Sequence, residues 1–147
     1  MKIYIGADHN GFQLRNNLLE YLRKAQYDVD DEGDFRMDPK DDYPQFASRV
    51  ATKVLMSEDP DPRGILICGS GQGMCMTANR YRGIRAGIGY DIESARAIRN
   101  DEDSNILCLP ARSLSKDQAK VIIEAWLNTP FAAAPRFIRR MKEMDEF

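Results

Sequence analysis

The sequence predicts an α/β fold: a three-layer αβα sandwich on a Rossmann-like, doubly wound parallel sheet of five strands, formed by residues 1–147 as a single domain. Two observations predict it. Short apolar runs alternate with segments of helical periodicity along the whole chain, which implies a parallel sheet covered by helices on both faces. A chain of 147 residues also suits one domain whose core is stable without disulfides or metals.

The first strand, the first helix and the second strand follow one another at the start of the chain. Ile3–Gly6 is a short apolar run that predicts a strand. Leu14, Leu18 and Leu22 then recur at the spacing of an amphipathic helix. Tyr27–Asp30 predicts a short second strand.

A charged loop and a second helix come next. Asp31–Asp42 is acidic and contains glycine and proline, so we expect a loop whose acidity is a solvated surface rather than a metal site. Pro44 suits the first turn of a helix, and Asp59–Pro62 ends that helix. Its predicted buried face consists of Phe46, Ala47, Val50, Ala51, Val54 and Leu55.

The middle of the chain predicts two more strands, each followed by a helix. Ile65–Cys68 is a strand that runs into a glycine-rich loop, and Met74–Tyr81 is a short helix after that loop. Ile84–Ile88 predicts the next strand and Glu93–Arg99 the next helix.

The last strand and two helices complete the predicted fold. Asn105–Leu109 is a strand, and Ser115 with Gln118 forms a capping box that opens a helix. The core face of this helix is Ala119, Ile122, Ile123 and Trp126. A final helix carries Arg136, Arg139 and Arg140.

Polar segments follow four of the strands, and in parallel sheets ligands bind beyond the carboxyl ends of strands. We therefore expect these segments to converge on one edge of the sheet. They are Gly6–His9, Cys68–Gly71, Gly89–Asp91 and Pro110–Arg112.

The loop after Cys68 has the pattern Gly-x-Gly-x-Gly, which exposes several backbone N–H groups beside a thiol. A nucleophile or base next to such an anion-stabilising nest is a catalytic arrangement. A tight turn beside a buried, inert cysteine fits the pattern equally well. The spacing is not that of a dinucleotide fingerprint, and the lysine of a phosphate-binding P-loop is absent.

Two further sets of residues have both a functional and a structural interpretation. Asp8 and His9 at a strand end could bind hydroxyls or move a proton, or could form a polar turn that caps the next helix. The C-terminal arginines could bind phosphate or lie on a solvated helix face. Arg112 is more suggestive, because it follows a strand.

The bulk composition argues against several classes of partner. Lys and Arg total 21 and Asp and Glu total 23, which gives no support to binding of nucleic acid or a membrane surface. No apolar run has the length of a membrane span or a signal peptide. Cys68, Cys75 and Cys108 form no disulfide framework, so we expect reduced thiols in a cytoplasmic protein. A multi-histidine metal site is excluded, because His9 is the only histidine.

Taken together, these segments resemble the ribose-5-phosphate isomerase B and galactose-6-phosphate isomerase family over essentially the whole chain. Four motifs in the right order carry the resemblance. They are Gly6–Gly11; Asp42–Pro44 with Phe46–Ala47; Gly64–Gly73 with Ala78–Asn79 and Gly83–Ala86; and Ser104–Leu107 with Arg112.

The resemblance implies aldose–ketose isomerisation of a phosphorylated sugar, most directly ribose 5-phosphate to ribulose 5-phosphate, with no metal or organic cofactor. It implies that Cys68 is the base that takes the C2 proton, its thiolate favoured by neighbouring N–H groups. The enediolate oxygens would be held by the backbone of Gly69, Ser70, Gly71 and Gly73.

The resemblance also implies the remaining contacts and the assembly. Asp8 and Tyr43 match positions at the sugar, and four residues match positions around the phosphate: His9, Arg112, Arg136 and Arg140. The family's site lies between two subunits. A homodimer or a dimer of dimers is therefore implied, in which the C-terminal arm, about residues 128–147, reaches the neighbouring subunit.

The chain departs from the family pattern at two positions. Asp101 stands where the family has its ring-opening histidine. It could serve as an acid if burial or the charges of Glu102 and Asp103 keep it protonated, or as a base toward the anomeric hydroxyl if it is ionised. Phe137 follows Arg136 where the family often has histidine, with Arg139 as an extra candidate for the phosphate.

Three functions remain open at this point. The favoured one is an active isomerase of ribose 5-phosphate or a related sugar phosphate. The second is an isomerase whose specificity has shifted toward a hexose 6-phosphate. The third is a non-catalytic subunit that needs a different partner chain to complete its site.

Overall fold

The computed structural model describes all of residues 1–147, and in it strands and helices alternate along the chain as predicted. The strands are β1 (Lys2–Ala7), β2 (Asp28–Asp31), β3 (Pro62–Cys68), β4 (Ala86–Ile88) and β5 (Ile106–Pro110). The helices are α1 (Phe12–Lys24), α2 (Tyr43–Met56), α3 (Gln72–Ala78), α4 (Ile92–Glu102), α5 (Lys116–Asn128) and α6 (Pro135–Asp145). None of these helices has the length and apolar character needed to cross a bilayer.

All strands join one parallel sheet in the order β2-β1-β3-β5-β4. From β1 the chain adds β2 on one side and later adds β3 on the other side. The direction of winding therefore reverses between β1 and β3, and a crevice opens beyond their carboxyl ends. This confirms the doubly wound, Rossmann-like parallel sheet and places a ligand crevice between two strands that carry candidate residues.

Helices cover both faces of the sheet and form two core layers. One layer lies between the sheet and helices α1, α4 and α5, around side chains such as Leu18 and Trp126. The other lies between the sheet and helices α2 and α3, around Phe46 and Met74. The predicted three-layer αβα sandwich is therefore confirmed.

Three strands differ from the predicted bounds by one residue at each end, and β3 and β4 differ by more, for local reasons. Strand β3 begins at Pro62 rather than Ile65, because proline is accommodated as the first residue of a strand. Strand β4 is shorter than predicted, since Ile84 still belongs to a turn in which its N–H donates to the Tyr81 carbonyl at 3.0 Å.

Capping explains the bounds of two helices. The predicted capping box of Ser115 and Gln118 is present at the start of α5. A second box, between Asp91 and Ser94, starts α4 earlier than predicted. Asp103 then ends α4 in the left-handed conformation, with φ of 48°.

Candidate active site

The carboxyl ends of three adjacent strands bring Asp8, Cys68 and Pro110 together. Strands β1 and β3 stay in register up to Ala7 and Ile67, and the Asp8 N–H donates to the Ile67 carbonyl at 3.2 Å. On the other side of β3, Cys68 pairs with Pro110. Because neighbouring strands lie about 4.8 Å apart, these three ends form one small region at the switch point.

The thiol of Cys68 faces the backbone of the glycine loop. It is buried, and its Sγ accepts a hydrogen bond from the Gly71 N–H at 3.2 Å. Gly71 has φ of +74°, a left-handed conformation that glycine adopts without the strain of a Cβ atom. Ser70 is exposed, and its hydroxyl accepts the Gln72 N–H at 3.3 Å.

Arg112 and Tyr43 approach the same loop so closely that their side chains would contact a Cβ atom placed at either of two glycine positions. A Cβ atom on Gly69 would lie 2.8 Å from Cζ of Arg112. A Cβ atom on Gly73 would lie 2.6 Å from the ring of Tyr43. Both side chains belong to exposed residues, so they border the loop on its solvent side.

Asp8 forms the floor of the crevice beside Cys68. It is 5% exposed, and its Oδ1 accepts the N–H groups of Asn10 at 3.0 Å and Gly11 at 3.2 Å. Burial raises the pKa of Asp8. The polar turn predicted as an alternative is therefore present and holds a buried carboxylate at the switch point, but the N-cap of α1 is Gly11 rather than Asp8.

His9 is held by Asp41, a residue that the sequence did not single out. The His9 backbone N–H donates to Asp41 Oδ1 at 3.0 Å, and ring Nδ1 donates to the same oxygen at 2.6 Å. The hydrogen bond to Asp41 raises the pKa of His9. The Asp41 side chain is only 9% exposed, so the prediction that the acidic loop is simply a solvated surface is wrong for this residue. Its one sequence signal is its place directly before the Asp42–Pro44 motif.

Asp8, His9 and Asp41 are also the one group of side chains that could hold a metal ion, with donor atoms all within 4.8 Å of one another. A cation bound through His9 Nδ1 would have to replace its hydrogen bond to Asp41.

Three predicted site residues lie away from this cluster, near the amino ends of the strands. They are Asp101, Arg136 and Arg140. Helix α4 returns toward the amino ends of the strands, where Arg85 donates to the Glu102 carbonyl at 3.1 Å. The start of α6 lies there too, because Ala132 N–H donates to the carbonyl of Asn100 at 3.1 Å. Strand β5 separates this edge from Cys68 by about 13 Å, at about 3.3 Å per residue. Within one chain, the structure does not bring these three residues to Cys68.

The two other C-terminal residues of interest have structural partners. Phe137 is 7% exposed, and the Arg136 guanidinium lies 4.6 Å from its ring centre. Phe137 therefore packs within the chain instead of presenting a polar group to a ligand. Arg139 pairs with Glu143 at 3.9 Å on the exposed side of α6.

The fold and the crevice define a class: a doubly wound parallel α/β protein in which a thiol, a backbone nest and basic side chains lie at the carboxyl ends of the central strands. This arrangement suits acid–base chemistry on a small anionic ligand. The chain belongs to the Ribose/Galactose Isomerase family, whose sequence profile matches residues 3–144.

Individual relatives match over almost the whole chain. The chain is 33% identical to ribose-5-phosphate isomerase B of Mycolicibacterium paratuberculosis over 147 residues, which cover 100% of this chain and 91% of that protein. A crystal structure of a ribose 5-phosphate isomerase from Thermotoga maritima superposes with a TM-score of 0.94 at 39% identity, covering 99% of this chain and 98% of that one. The enzyme of Mycoplasma genitalium, solved with bound ribulose 5-phosphate, has a TM-score of 0.93 at 35% identity and covers 99% and 94%.

Proposed function

We propose that this chain is an aldose–ketose isomerase of a phosphorylated sugar, with ribose 5-phosphate and ribulose 5-phosphate as its favoured pair. The observation that carries the proposal is the hydrogen bond from the Gly71 N–H to the Cys68 sulfur at the switch point, between Asp8 and Arg112. The family of the chain, and the ribulose 5-phosphate bound to its Mycoplasma genitalium relative, support the same reaction.

The proposed chemistry moves a carbonyl group between C1 and C2 by proton transfer. The Cys68 thiolate removes the C2 proton of the open-chain aldose, and the electron pair of that bond forms the C1–C2 double bond of an enediolate. The thiol then returns the proton to C1 while the proton of the C2 hydroxyl passes to the C1 oxygen, which leaves the ketose. Negative charge that develops on the oxygens meets the backbone N–H groups of Gly69, Ser70, Gly71 and Gly73. No metal or organic cofactor takes part in this scheme.

Side chains around the crevice supply the proposed contacts to the sugar and the phosphate. Asp8 and Tyr43 are suited to sugar hydroxyls, because a carboxylate follows the strand next to that of Cys68 and a phenol borders the glycine loop after Cys68. His9 and Arg112 are the basic groups at the same edge, and an arginine fork matches phosphate geometry.

A second copy of the chain would supply the residues that one chain leaves at its opposite edge. Asp101, Arg136 and Arg140 can act beside Cys68 only if they come from a neighbouring subunit. We therefore propose a homodimer, or a dimer of dimers, in which the C-terminal arm of one subunit completes the phosphate site of the other. Asp101 would then act on the sugar ring bound to its neighbour.

Turnover by the purified protein tests the reaction. We expect conversion of ribose 5-phosphate to ribulose 5-phosphate that is lost in Cys68→Ala. Cys75→Ala is the matched control, since Cys75 is a second thiol whose Sγ instead donates to the Ala86 carbonyl at 3.2 Å. Activity on a hexose 6-phosphate but not on the pentose would contradict the favoured substrate. Activity that appears only after a different family chain is added would favour the partner-dependent subunit.

Mixed dimers test the shared site. Each proposed site takes Cys68 from one subunit and Asp101 from the other. A dimer of one Cys68→Ala chain and one Asp101→Asn chain therefore has one site with both residues intact and one site with neither. If the chains mix at random, half of the dimers are mixed, and coexpression should restore about a quarter of wild-type activity, as additivity of independent sites requires. A mixture no more active than its two components would refute the shared site.

A further inference from the structure

The single histidine of the chain is held in one orientation by one carboxylate oxygen. His9 gives Asp41 Oδ1 two hydrogen bonds, from its backbone N–H at 3.0 Å and from ring Nδ1 at 2.6 Å. Because both donors belong to the same residue, their convergence on one oxygen restricts the side-chain torsions of His9. A carboxylate only accepts hydrogen bonds, so Nδ1 carries a proton and Nε2 is the ring nitrogen left for other partners.

Nε2 has a partner that a ligand can displace. It lies 3.2 Å from the side-chain amide nitrogen of Asn10, an exposed residue. A neutral His9 ring accepts that amide hydrogen, while a protonated ring offers Nε2–H to an anion. The His9 side chain is 31% exposed, so an anion in the crevice can reach it.

The loop that carries Asp41 is braced against α1. Arg15 is 2% exposed, its Nε lies 3.5 Å from Asp31, and it donates to the Asp34 carbonyl at 2.6 Å. Near the far end of the loop, the Asp41 N–H donates to the Asp38 carbonyl at 3.2 Å. These contacts keep the Asp41 carboxylate at a defined place relative to His9.

We propose that Asp41 is a positioning residue for anion recognition, which fixes the His9 ring so that Nε2–H is presented to the phosphate group of the bound ligand. The identity of that ligand rests on the proposed function. The preference for an anion rests on the hydrogen-bonded pair of His9 and Asp41. The charged groups that face His9 are Asp8, Asp38 and Asp41, all acidic. A proton on the ring offsets part of the repulsion between these carboxylates and a phosphate dianion, so binding of phosphate and protonation of His9 favour each other.

NMR of the imidazole ring tests the proposal without relying on turnover. His9 is the only histidine, so its ring signals are unambiguous. In wild type we expect a proton on Nδ1, a raised pKa of His9, and ring shifts that saturate as inorganic phosphate is added. Asp41→Asn should lower the pKa of His9 and weaken phosphate binding about tenfold, the effect of losing about 1.4 kcal/mol.

Asp38→Asn is the matched control. It removes the same charge from the same loop, but Asp38 makes no hydrogen bond to the His9 ring. We expect it to change the pKa of His9 and phosphate binding less than Asp41→Asn does. Equal effects of the two substitutions, or no effect of Asp41→Asn, would overturn the positioning role. The same holds if phosphate leaves the ring signals of the wild-type protein unchanged.

Kinetics separate this inference from the proposed function. In an active isomerase, Asp41→Asn should raise KM for the sugar phosphate about tenfold and leave kcat within about twofold. This pattern is expected when a substitution weakens binding of the ground state and of the transition state equally. A fall in kcat with KM unchanged would overturn the positioning role in catalysis. If the protein turned over no sugar phosphate at all, the proposed function would fail, while the ring signals would still decide the role of Asp41.

Discussion

Replacing Gly71 with alanine tests whether the backbone N–H beside Cys68 has a role in the reaction. Gly71 has φ of +74°, and a Cβ atom there would meet Leu109 at 3.4 Å, an ordinary contact. The substitution therefore adds no steric clash but forces a non-glycine residue into the left-handed conformation. To escape that strain the peptide must rotate, and rotation moves its N–H away from the sulfur.

Two magnitudes follow from this geometry. A left-handed alanine costs about 1–2 kcal/mol of stability. A hydrogen bond to a charged group contributes about 1.5–3 kcal/mol, and at about 1.4 kcal/mol per factor of ten its loss should lower kcat/KM by about 10- to 150-fold.

The control is Gly83→Ala at the turn before β4. Gly83 also has a positive φ, +90°, and its Cβ would meet only the end of the Leu55 side chain at 3.2 Å. Urea unfolding should show a similar loss of stability in both variants, while steady-state kinetics should show the loss of kcat/KM in Gly71→Ala alone. If Gly71→Ala lost stability but kept wild-type kcat/KM, the N–H would have no role in stabilising the thiolate.

Four further changes test other parts of the structure. Burial raises the pKa of Asp8, so the folded chain binds this proton more tightly than the unfolded chain, and the ionised carboxylate lowers stability at neutral pH. The Asp8→Asn variant should therefore resist urea better than the wild type at pH 7, and this gain should disappear as the pH falls toward about 4. The same substitution should lower turnover. Arg112→Gln should raise KM for the sugar phosphate with little change in kcat, measured in steady-state assays. Trp126→Phe should cost about 1–3 kcal/mol in urea unfolding, because it leaves the buried Ser104 hydroxyl without its indole donor at 2.8 Å, and adding Ser104→Ala should recover part of the loss. Asp101→Asn should slow turnover of ribose 5-phosphate, which must open its ring, but should not abolish deuterium uptake by open-chain ribulose 5-phosphate in D2O, followed by NMR.

The sequence predicted the elements of the fold because their signals are local. Apolar runs, leucine spacing and the capping box of Ser115 and Gln118 depend on neighbouring residues, and all are present in the structure. The order of the strands depends on long-range pairing, so no local pattern could place β5 between β3 and β4. The bounds of β3 and α4 shifted for the same reason, since sheet pairing and caps extended them beyond the apolar runs.

For the candidate site, strand-end reasoning worked where the backbone alone determines position. Asp8 and Cys68 follow adjacent parallel strands, so their proximity follows from topology. The role of Asp41 could not be predicted, because it depends on how a charged loop folds back against His9. The spacing of residues in the sequence also could not show that Asp101, Arg136 and Arg140 lie near the amino ends of the strands, because their positions depend on where α4 and α6 lie.

Asp101 was open to two roles, and its surroundings favour one of them. The role of acid relied on the charges of Glu102 and Asp103 to keep Asp101 protonated. Asp103, however, pairs with Arg99 at 2.9 Å and with Arg85 at 3.1 Å, so its charge is already compensated. Asp101 Oδ1 also accepts a hydrogen bond from the Asn100 side-chain amide at 2.7 Å. We therefore propose that Asp101 acts as a base toward the anomeric hydroxyl of a sugar bound to the neighbouring subunit.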